Sequence, residues 1–381
     1  SDGTPPKKKK KVAKAQNEVA KPEKSKEGKL FRTKDGEYYR IVDGKKIRVN
    51  PPVWPGNGIA LFNELDYCVE PKATCEFKDA LITRGGFCFL GLRLASASFY
   101  TYPSRQKKWL TYAWASRLRR RTDRLSDEET FALIHNAWTG GYFFWITEAL
   151  PRLWSIRSKW PELALLLPSH TRLSGVMDDS VRPLPLKRVH WLPRAKNVIA
   201  PQIVMPGNSK RKARYDPALM TSIRDFYLEI FGSRRKPFRK IYISRANAAH
   251  RRLQNEDALL AQLHQRGFEP VEFELLSFSE QVRLMSETKV LVGPHGAGFS
   301  NITFMPAGGI VLEFQLSESE RSEIDMEDEQ KLNKSFCRLA SVMGHDYAVI
   351  PSDGTGNGGT KVRNLKLDLS QLSAALDTLR T

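Results

Sequence analysis

The strongest constraint on the fold is a regular alternation of short apolar runs and longer amphipathic segments, which begins after Pro237. The apolar runs have the length of strands, and the segments between them carry apolar residues at helical spacing. The predicted strands are 240–244, 269–274, 289–292 and 310–314, and the predicted helices are 255–266 and 279–287. Strands that alternate with helices build a parallel sheet with right-handed crossovers, so this part of the chain is predicted to be a parallel α/β unit.

The chain before this alternation gives less regular signals. A hairpin is predicted from 37–42 and 46–49, because Asp43-Gly44 between them is typical of a turn. A kink or break is expected at Pro151 inside its helix, since proline cannot continue the helical hydrogen bonding. The other predicted strands are 80–83, 87–92, 131–134, 163–167, 189–192 and 198–204, and the predicted helices are 107–121, 142–160 and 217–231.

The 381 residues are enough for two ordinary domains. A stretch at 206–215, rich in Gly, Asn, Ser and Lys, suits a linker. We therefore expect an N-terminal α/β domain at 30–210, which begins with a small β-meander, and a C-terminal Rossmann-like domain at 211–381. Residues 1–29 contain ten lysines and four acids, so they are predicted to be a flexible basic tail.

The charge balance favours polyanionic partners. The chain has 61 Lys and Arg against 42 Asp and Glu, which gives a formal charge of +19. Nucleic acid, acidic lipid surfaces and phosphate-bearing substrates all fit this excess. The consecutive lysines of the tail, Lys7, Lys8, Lys9, Lys10 and Lys11, predict attraction to an anionic membrane. A solubilising arm and a nuclear-import or nucleic-acid-binding arm are the alternatives for this tail.

Four scattered cysteines predict reduced thiols in a cytosolic protein, with a Cys68–Cys75 bridge as the alternative if the protein is exported. The sequence lacks an apolar run of the ~18 residues that a membrane span needs. We therefore expect a cytoplasmic protein that associates peripherally with the inner membrane face.

A glycine-rich turn follows the predicted strand 289–292. It contains His295 between Pro294 and Gly296, and then Ala297 and Gly298. A turn of this kind exposes backbone amides and a helix start at the carboxyl edge of the sheet, where anions bind. His295 adds a hydrogen-bond donor that can be charged or neutral. A tight strand-to-helix connection is the alternative explanation for these glycines.

Two arginines and a glutamate are predicted on the same rim. Arg245 follows a strand and Arg252 precedes a helix, so the two guanidinium groups can clamp phosphate oxygens. A salt bridge from Arg245 to Glu256 or Glu287 is the alternative. Glu313, at the end of a strand, is predicted to accept from a ribose diol, with a solvated strand end as the alternative.

The residues Ile243-Ser244-Arg245, Asn255-Glu256 and the turn 293–301 through Glu313 resemble glycosyltransferase family 61. This family includes bacterial capsular-polysaccharide enzymes and eukaryotic O-linked N-acetylglucosamine and xylosyl transferases. In the N-terminal half, 141–145 and 148–153 resemble the family's Asn-Tyr-x-His-Trp…Leu-Pro-Arg-Leu signature. The chain has Phe144 where that signature has His. If the His holds acceptor or donor in the family, its loss is expected to change specificity or to transfer the role to His135, Tyr142 or Glu148.

The resemblance implies a GT-B fold, in which two Rossmann-like domains face a cleft. It also implies inverting transfer from a nucleotide-sugar donor to a glycan or lipid-linked acceptor in capsular or surface polysaccharide synthesis, with no metal or other cofactor. We assign catalysis to Glu148, with an ion pair to Arg152 as the alternative, and to His295; His135 is the second choice of base. The predicted donor-binding residues are Arg245, Arg252, Asn255, Glu256, His295, Gly296, Ala297, Gly298, Asn301 and Glu313, and the predicted acceptor-side residues are His135, Tyr142 and Trp145.

Two other functions fit parts of the sequence. A nucleic-acid-binding protein would use the positive charge, but it would need aromatic residues interleaved with Lys and Arg, and the tail has no aromatic residue before Phe31. No nucleic-acid partner is therefore expected. A sugar-nucleotide epimerase or an inactive relative would keep the fold without transfer, and Phe144 keeps this alternative open.

Overall fold

The computed structural model describes residues 30–32, 38–40, 46–50, 52–53, 65–69, 74–99, 106–169, 171, 173–207, 213–247, 252–316, 333–355 and 364–379. The predicted tail, with Lys7 to Lys11, lies outside the described residues. None of the helices in those ranges combines the length and the apolar character that a bilayer crossing requires. The cysteines are thiols, and no disulfide joins Cys68 to Cys75.

The N-terminal half is built around one large mixed sheet. Its strands lie in the order β1-β2-β5-β12-β9-β10-β11, with β6, β7 and β8 attached at its side, while β3 pairs with β4 separately. The strands β9 to β12 run parallel, and β5 runs antiparallel to β12. The bounds are β1 (Leu30–Arg32), β2 (Tyr38–Arg40), β3 (Lys46–Ile47), β4 (Tyr67–Cys68), β5 (Thr74–Ile82), β6 (Cys88–Leu90), β7 (Arg93–Leu94), β8 (Arg121–Arg124), β9 (Thr130–Leu133), β10 (Ala164–Pro168), β11 (Arg188–Leu192) and β12 (Lys196–Pro206).

The hairpin predicted from 37–42 and 46–49 is wrong. β2 pairs with β1 and with the long strand β5, whereas β3 pairs with β4. A pairing of two or three residues contributes little stability by itself, so contacts elsewhere in the fold decide which partner each short strand takes. Local turn chemistry at Asp43-Gly44 therefore does not decide the pairing.

The helices of this half are α1 (Gln106–Leu118), α2 (Tyr142–Phe144), α3 (Leu150–Arg157) and α4 (Ser174–Val181). A π-helical turn, Trp145–Ala149, joins α2 to α3, so the helix continues across the predicted break at Pro151. A proline ring clashes with the carbonyl four residues before it in an α-helix. In the wider π-helical turn directly before Pro151, that carbonyl points in a different direction, which avoids the clash. Turns of this kind are frequent at functional sites.

The second sheet confirms the strand and helix alternation predicted after Pro237. Its strands lie in the order β14-β13-β15-β16-β17-β18, and all neighbours are parallel except β17 and β18. The bounds are α5 (Pro217–Phe231), β13 (Arg239–Ile243), α6 (Glu256–Gln265), β14 (Phe268–Val271), α7 (Phe278–Ser286), β15 (Thr288–Pro294), β16 (Ile310–Leu316), α8 (Ser335–Met343), β17 (Asp346–Thr355), β18 (Asn364–Lys366) and α9 (Leu369–Thr378).

Helix α5 packs between the two halves. It begins at an Asp216 cap, whose side chain accepts from the backbone N–H groups of Ala218 and Leu219, followed by a proline in the first turn. It contacts α3 on one side and α7 on the other. Its buried side chains Ile223 and Tyr227 belong to a single apolar core that reaches both sheets. The two α/β halves therefore share a continuous core.

Candidate functional site

From two neighbouring strands in the middle of the second sheet, β13 and β15, the chain continues towards opposite edges of the sheet. β13 is followed in sequence by β14 on one side, whereas β15 on its other side is followed by β16. In open α/β sheets this reversal leaves a crevice at the carboxyl ends of the two strands, and ligands bind there. Arg245 comes directly after β13, and the glycine-rich turn comes directly after β15. The topology therefore brings these two predicted donor-binding segments to one crevice.

The guanidinium of Arg245 packs against the glycine-rich turn. A Cβ atom on Gly296 would lie 2.6 Å from Nη1 of Arg245, so the cation occupies the space that a side chain would need. A Cβ on Gly293 would lie 2.8 Å from the Cβ of Ile243, which shows how closely the two strands approach. Burial lowers the pKa of Arg245, and the charge of Glu274 opposes that shift. The glycines therefore let a cation lie directly on the backbone of the turn.

A 3₁₀ helix, Ala297–Phe304, starts immediately after Gly296, and no side chain caps its first turn. The N–H groups at a helix start have no partner within the helix, so they are suited to bind an anion. Ala297 is exposed and Gly298 is half buried. Arg245 and these amides together supply positive potential and donors at one place, as a diphosphate requires.

His295 is held at both ring nitrogens. Its Nδ1–H donates to Oε1 of Glu313, and its Nε2 accepts from the side-chain amide of Asn333 at 2.8 Å. The orientation of that amide follows from its oxygen, which accepts from the backbone N–H of Ser335 at 3.2 Å. The side chain of His295 is 21% exposed. The imidazole is therefore fixed in orientation and still partly accessible.

Glu313 has no exposed surface. Besides His295, its carboxylate accepts from the hydroxyl of Tyr347 and from Nε2 of Gln315 at 3.0 Å. Burial, and then the charge of Glu313, raise the pKa of Tyr347 well above its usual value. These protein donors surround the carboxylate because β16 lies between two parallel neighbours in a sheet with apolar cores on both faces. Glu313 thereby orients His295, and its contact with a ribose diol stays a prediction.

Asn301 lies in the interior and joins the two halves of the molecule. Its Oδ1 accepts from the hydroxyl of Tyr142 at 2.6 Å, and its Nδ2 donates to Oε1 of Gln281 at 3.0 Å. Gln281 in turn donates to backbone carbonyls of the loop before α7. Burial raises the pKa of Tyr142. Asn301, predicted to bind donor, therefore connects the helix that begins at Tyr142 to the glycine-rich turn.

The side chains of Asn255 and Glu256 hold the start of α6. Asn255 exchanges two hydrogen bonds with the backbone of Leu367, at 2.8 Å and 3.1 Å. Glu256 accepts from the hydroxyls of Tyr242 and Ser244 at 2.8 Å and 3.0 Å. Both residues therefore hold the packing of α6 on the sheet, and their contacts with a donor stay a prediction.

Arg252 is exposed, and its backbone N–H donates to the side chain of Asn364 at 3.0 Å. It therefore lies beside the edge strand β18. Glu287, an alternative salt-bridge partner for Arg245, pairs with Arg239 at 2.8 Å. Of the two predicted clamp arginines, Arg245 is the one that the structure brings into contact with the turn.

Two of the three predicted acceptor-side residues are core residues. Trp145 has no exposed surface and donates its Nε1–H to Ser180 at 2.9 Å. His135 is 1% exposed, and its Nδ1 lies 2.9 Å from the carbonyl oxygen of Leu166. Burial lowers the pKa of His135 to about 4. Tyr142, the third, is half buried and contacts Asn301.

Glu148 is half buried on the π-helical turn. Burial lowers the pKa of Arg152 to about 10, and the nearby charge of Glu148 opposes that shift. The guanidinium of Arg152 is nevertheless directed at the carboxyl ends of β9 and β12, where it donates to the backbone carbonyls of Leu133, Ile134 and Pro206. Arg152 thus holds the strand ends, a role that its motif did not indicate.

A row of aromatic rings leads from the N-terminal half to His295. Phe144, which stands in place of the family's His, lies within this row. Successive ring centroids are 5.1 Å apart for Trp109 and Trp138, 6.0 Å for Trp138 and Phe144, 5.3 Å for Phe144 and Phe143, 5.7 Å for Phe143 and Phe336, and 5.3 Å for Phe336 and His295. Helix α2 therefore faces the start of α8 beside the crevice.

Sequence patterns did not single out Asn333 and Tyr347. Both lie downstream of the motifs that predicted the donor site; Asn333 begins an Asn-Lys-Ser sequence that matches the N-glycosylation pattern, which does not point to a contact with His295. Tyr347 reaches Glu313 because β17 pairs in parallel with β16, with Val311 beside Tyr347. The contact between Tyr347 and Glu313 can be recognised only once that pairing is known.

Comparison with known proteins supports the resemblance read from the motifs. The family model described as Glycosyltransferase 61 matches residues 142–312, from α2 into β16. The chain is similar to an EGF domain-specific O-linked N-acetylglucosamine transferase of Gallus gallus, with 37% identity over 51 residues, or 13% of this chain and 10% of the relative. It is also similar to the Drosophila melanogaster protein of that name, with 35% identity over 75 residues, or 19% of this chain and 14% of the relative. The matches thus span about a tenth to a seventh of the length of these relatives, and the resemblance to glycosyltransferase family 61 is confirmed.

Proposed function

We propose that this chain is an inverting, metal-independent glycosyltransferase of the GT-B type that binds a nucleotide-sugar donor at the carboxyl ends of β13 and β15. The observation that carries the proposal is the packing of Arg245 against Gly296 at the point where the strand order reverses. A leaving diphosphate develops charge during transfer, and a fixed guanidinium with outward backbone amides stabilises such charge. The match to glycosyltransferase family 61 over the same segment supports this assignment.

In the proposed reaction, an acceptor hydroxyl attacks the anomeric carbon while the bond from that carbon to the diphosphate breaks. The hydroxyl proton passes to a general base, and the diphosphate leaves with the electron pair of the broken bond. Attack from the face opposite to the leaving group inverts the anomeric configuration. The chain itself supplies a fixed cation, a fixed imidazole and a carboxylate on the facing helix.

Glu148 is the proposed base. It lies on the helix whose first residues contact the 3₁₀ helix through Tyr142 and α8 through Phe143. Its charge also acts on Tyr215, whose hydroxyl donates to the backbone carbonyl of Ser335, two residues after the partner of His295. The contacts that its helix makes with the 3₁₀ helix and with α8 support this choice.

His295 is the proposed contact to the leaving group. With Nδ1–H committed to Glu313, its Nε2 is the atom left to face a ligand, and Asn333 now occupies it. A diphosphate oxygen would take the place of Asn333 at this nitrogen. Glu313 holds the ring in the orientation that directs Nε2 at the ligand, as a buried carboxylate orients a catalytic imidazole.

The test is calorimetric titration with UDP, GDP and CMP in the presence of a metal chelator, using the protein and the variants Arg245→Ala and His295→Ala. We expect micromolar binding of one nucleotide and a loss of at least about tenfold in both variants. Arg234→Ala removes an exposed arginine elsewhere and should bind like the unaltered protein. Binding of no nucleotide by folded protein would overturn the donor site and favour an inactive relative.

Inversion is tested without knowing the acceptor. Slow hydrolysis of the matching nucleotide sugar, followed by proton NMR, should first release the sugar with the opposite anomeric configuration from that in the donor. Release with the same configuration would contradict the inverting mechanism. Conversion of the bound sugar into its epimer, still attached to the nucleotide, would instead establish an epimerase.

A further inference from the structure

A second cavity lies in the N-terminal half, at the carboxyl ends of β9 and β10. Its volume is about 270 Å³. Two cationic side chains, Arg84 and Lys108, and two aromatic side chains, Trp109 and Tyr112, line it together with Asn136. The described residues of its lining include no carboxylate. Carboxyl ends of parallel strands are the usual place for ligands in α/β sheets, so this cavity is a candidate binding site.

The walls of this cavity are fixed by their neighbours. Arg84 donates from Nη2 and Nε to the carbonyl oxygen of Ser169, at 3.0 Å and 3.3 Å. The rings of Trp109 and Tyr112 meet edge to face at 5.6 Å, and Trp138 packs on Trp109 at 5.1 Å. An exposed cation, Lys108, stands at the rim. The site therefore combines a rigid aromatic surface with positive charge before any ligand arrives.

The turn under the cavity is equally constrained. Gly86 has φ of +76°, and a Cβ there would lie 2.4 Å from the carbonyl oxygen of His135. Only glycine fits this position without a shift of the backbone. The backbone at Gly86 therefore packs directly against His135, the residue before Asn136. This contact keeps the floor of the cavity in place.

We infer that this cavity binds an acidic sugar unit, one that carries a carboxylate, belonging to the acceptor saccharide. A sugar ring has an apolar face of C–H groups, which packs on aromatic rings, and an edge of hydroxyls, which needs polar partners. Arg84 and Lys108 add charge-assisted hydrogen bonds for a carboxylate. The volume is below the ~300–1,000 Å³ of pockets for drug-sized ligands, so one ring fits rather than a long chain.

The inference rests on the proposed function, because it identifies the acceptor of the same enzyme. The aromatic row from Trp109 to His295 places several ring contacts between this cavity and the donor crevice. The bound unit would therefore be an outer sugar of an extended acceptor, away from the reacting hydroxyl. The lining residues used in this argument all precede residue 142, where the family match begins.

The experiment compares two small glycosides that differ only in the carboxylate. Methyl β-glucuronide and methyl β-glucoside are titrated separately into the full chain by ligand-observed NMR. We expect millimolar binding of the glucuronide and about tenfold weaker binding of the glucoside, as a hydrogen bond to a charged group predicts. Equal binding of the two would overturn the preference for an acidic sugar.

Three exposed positions assign the effect to the cavity. Lys108→Gln should weaken the glucuronide about tenfold and leave the glucoside unchanged. Tyr112→Ala, at a side chain 46% exposed, should weaken both glycosides. Lys107→Gln removes the same charge from the preceding exposed residue and should change neither. A loss with Lys107→Gln equal to that with Lys108→Gln would show general charge attraction and overturn the site.

Failure of this inference is distinguishable from failure of the proposed function. If the protein binds a nucleotide but no glucuronide, the proposed donor site stands and the acidic acceptor is overturned. If the protein binds the glucuronide but no nucleotide, the binding site in the cavity stands and the proposed transferase function is overturned. Aromatic and cationic residues also bind single-stranded nucleic acid, so an oligothymidylate is included. Displacement of the glucuronide by micromolar oligothymidylate would overturn the saccharide assignment.

Discussion

His295 donates its Nδ1–H to Glu313, a carboxylate without exposed surface that also accepts from Tyr347 and Gln315. Glu313→Gln should disturb this arrangement, because the amide brings two N–H donors to a place where three donors already converge. We expect nucleotide binding to weaken about tenfold while the circular dichroism spectrum stays that of the unaltered protein. Calorimetry measures the effect.

Glu256→Gln is the matched control for that change. Glu256 was also predicted to bind donor, but it accepts from Tyr242 and Ser244. Its substitution should leave nucleotide binding within about twofold, apart from any loss of stability. A tenfold loss of nucleotide binding with Glu256→Gln, and none with Glu313→Gln, would show that Glu256 contacts the donor and would contradict the role given to Glu313.

Gly296→Ala should weaken nucleotide binding without unfolding the protein. The added Cβ would lie 2.6 Å from Nη1 of Arg245, so the guanidinium would have to shift away from the turn to make room for it. The backbone at Gly296 is extended, with φ of −179°, so alanine adds no strain there. We expect a loss of about tenfold in calorimetry, comparable to one charged hydrogen bond.

Gly175→Ala provides the comparison. A Cβ at this helical position meets nothing within 4 Å, and alanine favours helix over glycine. Nucleotide binding should be unchanged and the melting temperature equal or slightly higher. If Gly296→Ala also left nucleotide binding unchanged, contact between the guanidinium of Arg245 and the turn would not be required for binding.

Tyr142→Phe should lower the free energy of unfolding. Its hydroxyl donates to Oδ1 of Asn301 at 2.6 Å, and Asn301 has no exposed surface. Removal of the donor leaves a buried acceptor unpaired, which costs about 1–3 kcal/mol. Urea unfolding measures the change. Tyr112→Phe, at a half-exposed side chain, should change stability by less than about 0.5 kcal/mol, and equal effects of the two substitutions would contradict the bridging role.

Two buried histidines predict a loss of stability in mild acid. Burial lowers the pKa of both His135 and His345 to about 4, and the charges of Arg152 and Arg224 add to the effect. The unfolded chain therefore binds more protons than the folded chain between pH 4 and 6.5. The neutral rings contribute fully above pH 6.5, and their contribution falls as the pH drops towards 4, by about 1.4 kcal/mol per pH unit for each histidine.

Urea unfolding at pH 5 and pH 7 tests this pH dependence. His345→Gln should reduce the difference between the two free energies of unfolding, because one titrating group is removed. His264→Gln, at an exposed position of α6, should leave that difference unchanged. An unaltered pH dependence in His345→Gln would show that this ring is charged in the folded protein.

The parallel unit was predictable because its signals are local. The strands β13, β15 and β16 each contain a short apolar run, and the helices between the strands have a period that differs from that of strands. The position of Arg245 and the glycine-rich turn at one rim followed from this alternation, because carboxyl ends of parallel strands share an edge. Hence the crevice could be inferred before the fold was known.

Pairing and burial were not predictable in the same way. The segment at Asp43-Gly44 has the chemistry of a hairpin turn, but β2 joins β5 and β3 joins β4. Glu313 was predicted to stand at a strand end like a ligand-binding carboxylate, but β16 continues to Leu316 and the layers on both of its faces enclose the side chain. The length of a segment and its residue types do not determine which other segments will pack against it.

By itself, the sequence determined the alternation of strands and helices from β13 to β16, the rim on which Arg245 and His295 stand, and the family resemblance, since each depends on neighbours in the chain. Tertiary structure alone decided that Glu313 orients His295, that Asn301 meets Tyr142, and that Trp109 and Lys108 border a cavity. Those contacts join residues far apart in the chain, and their side chains acquire partners only when packing removes water from around them.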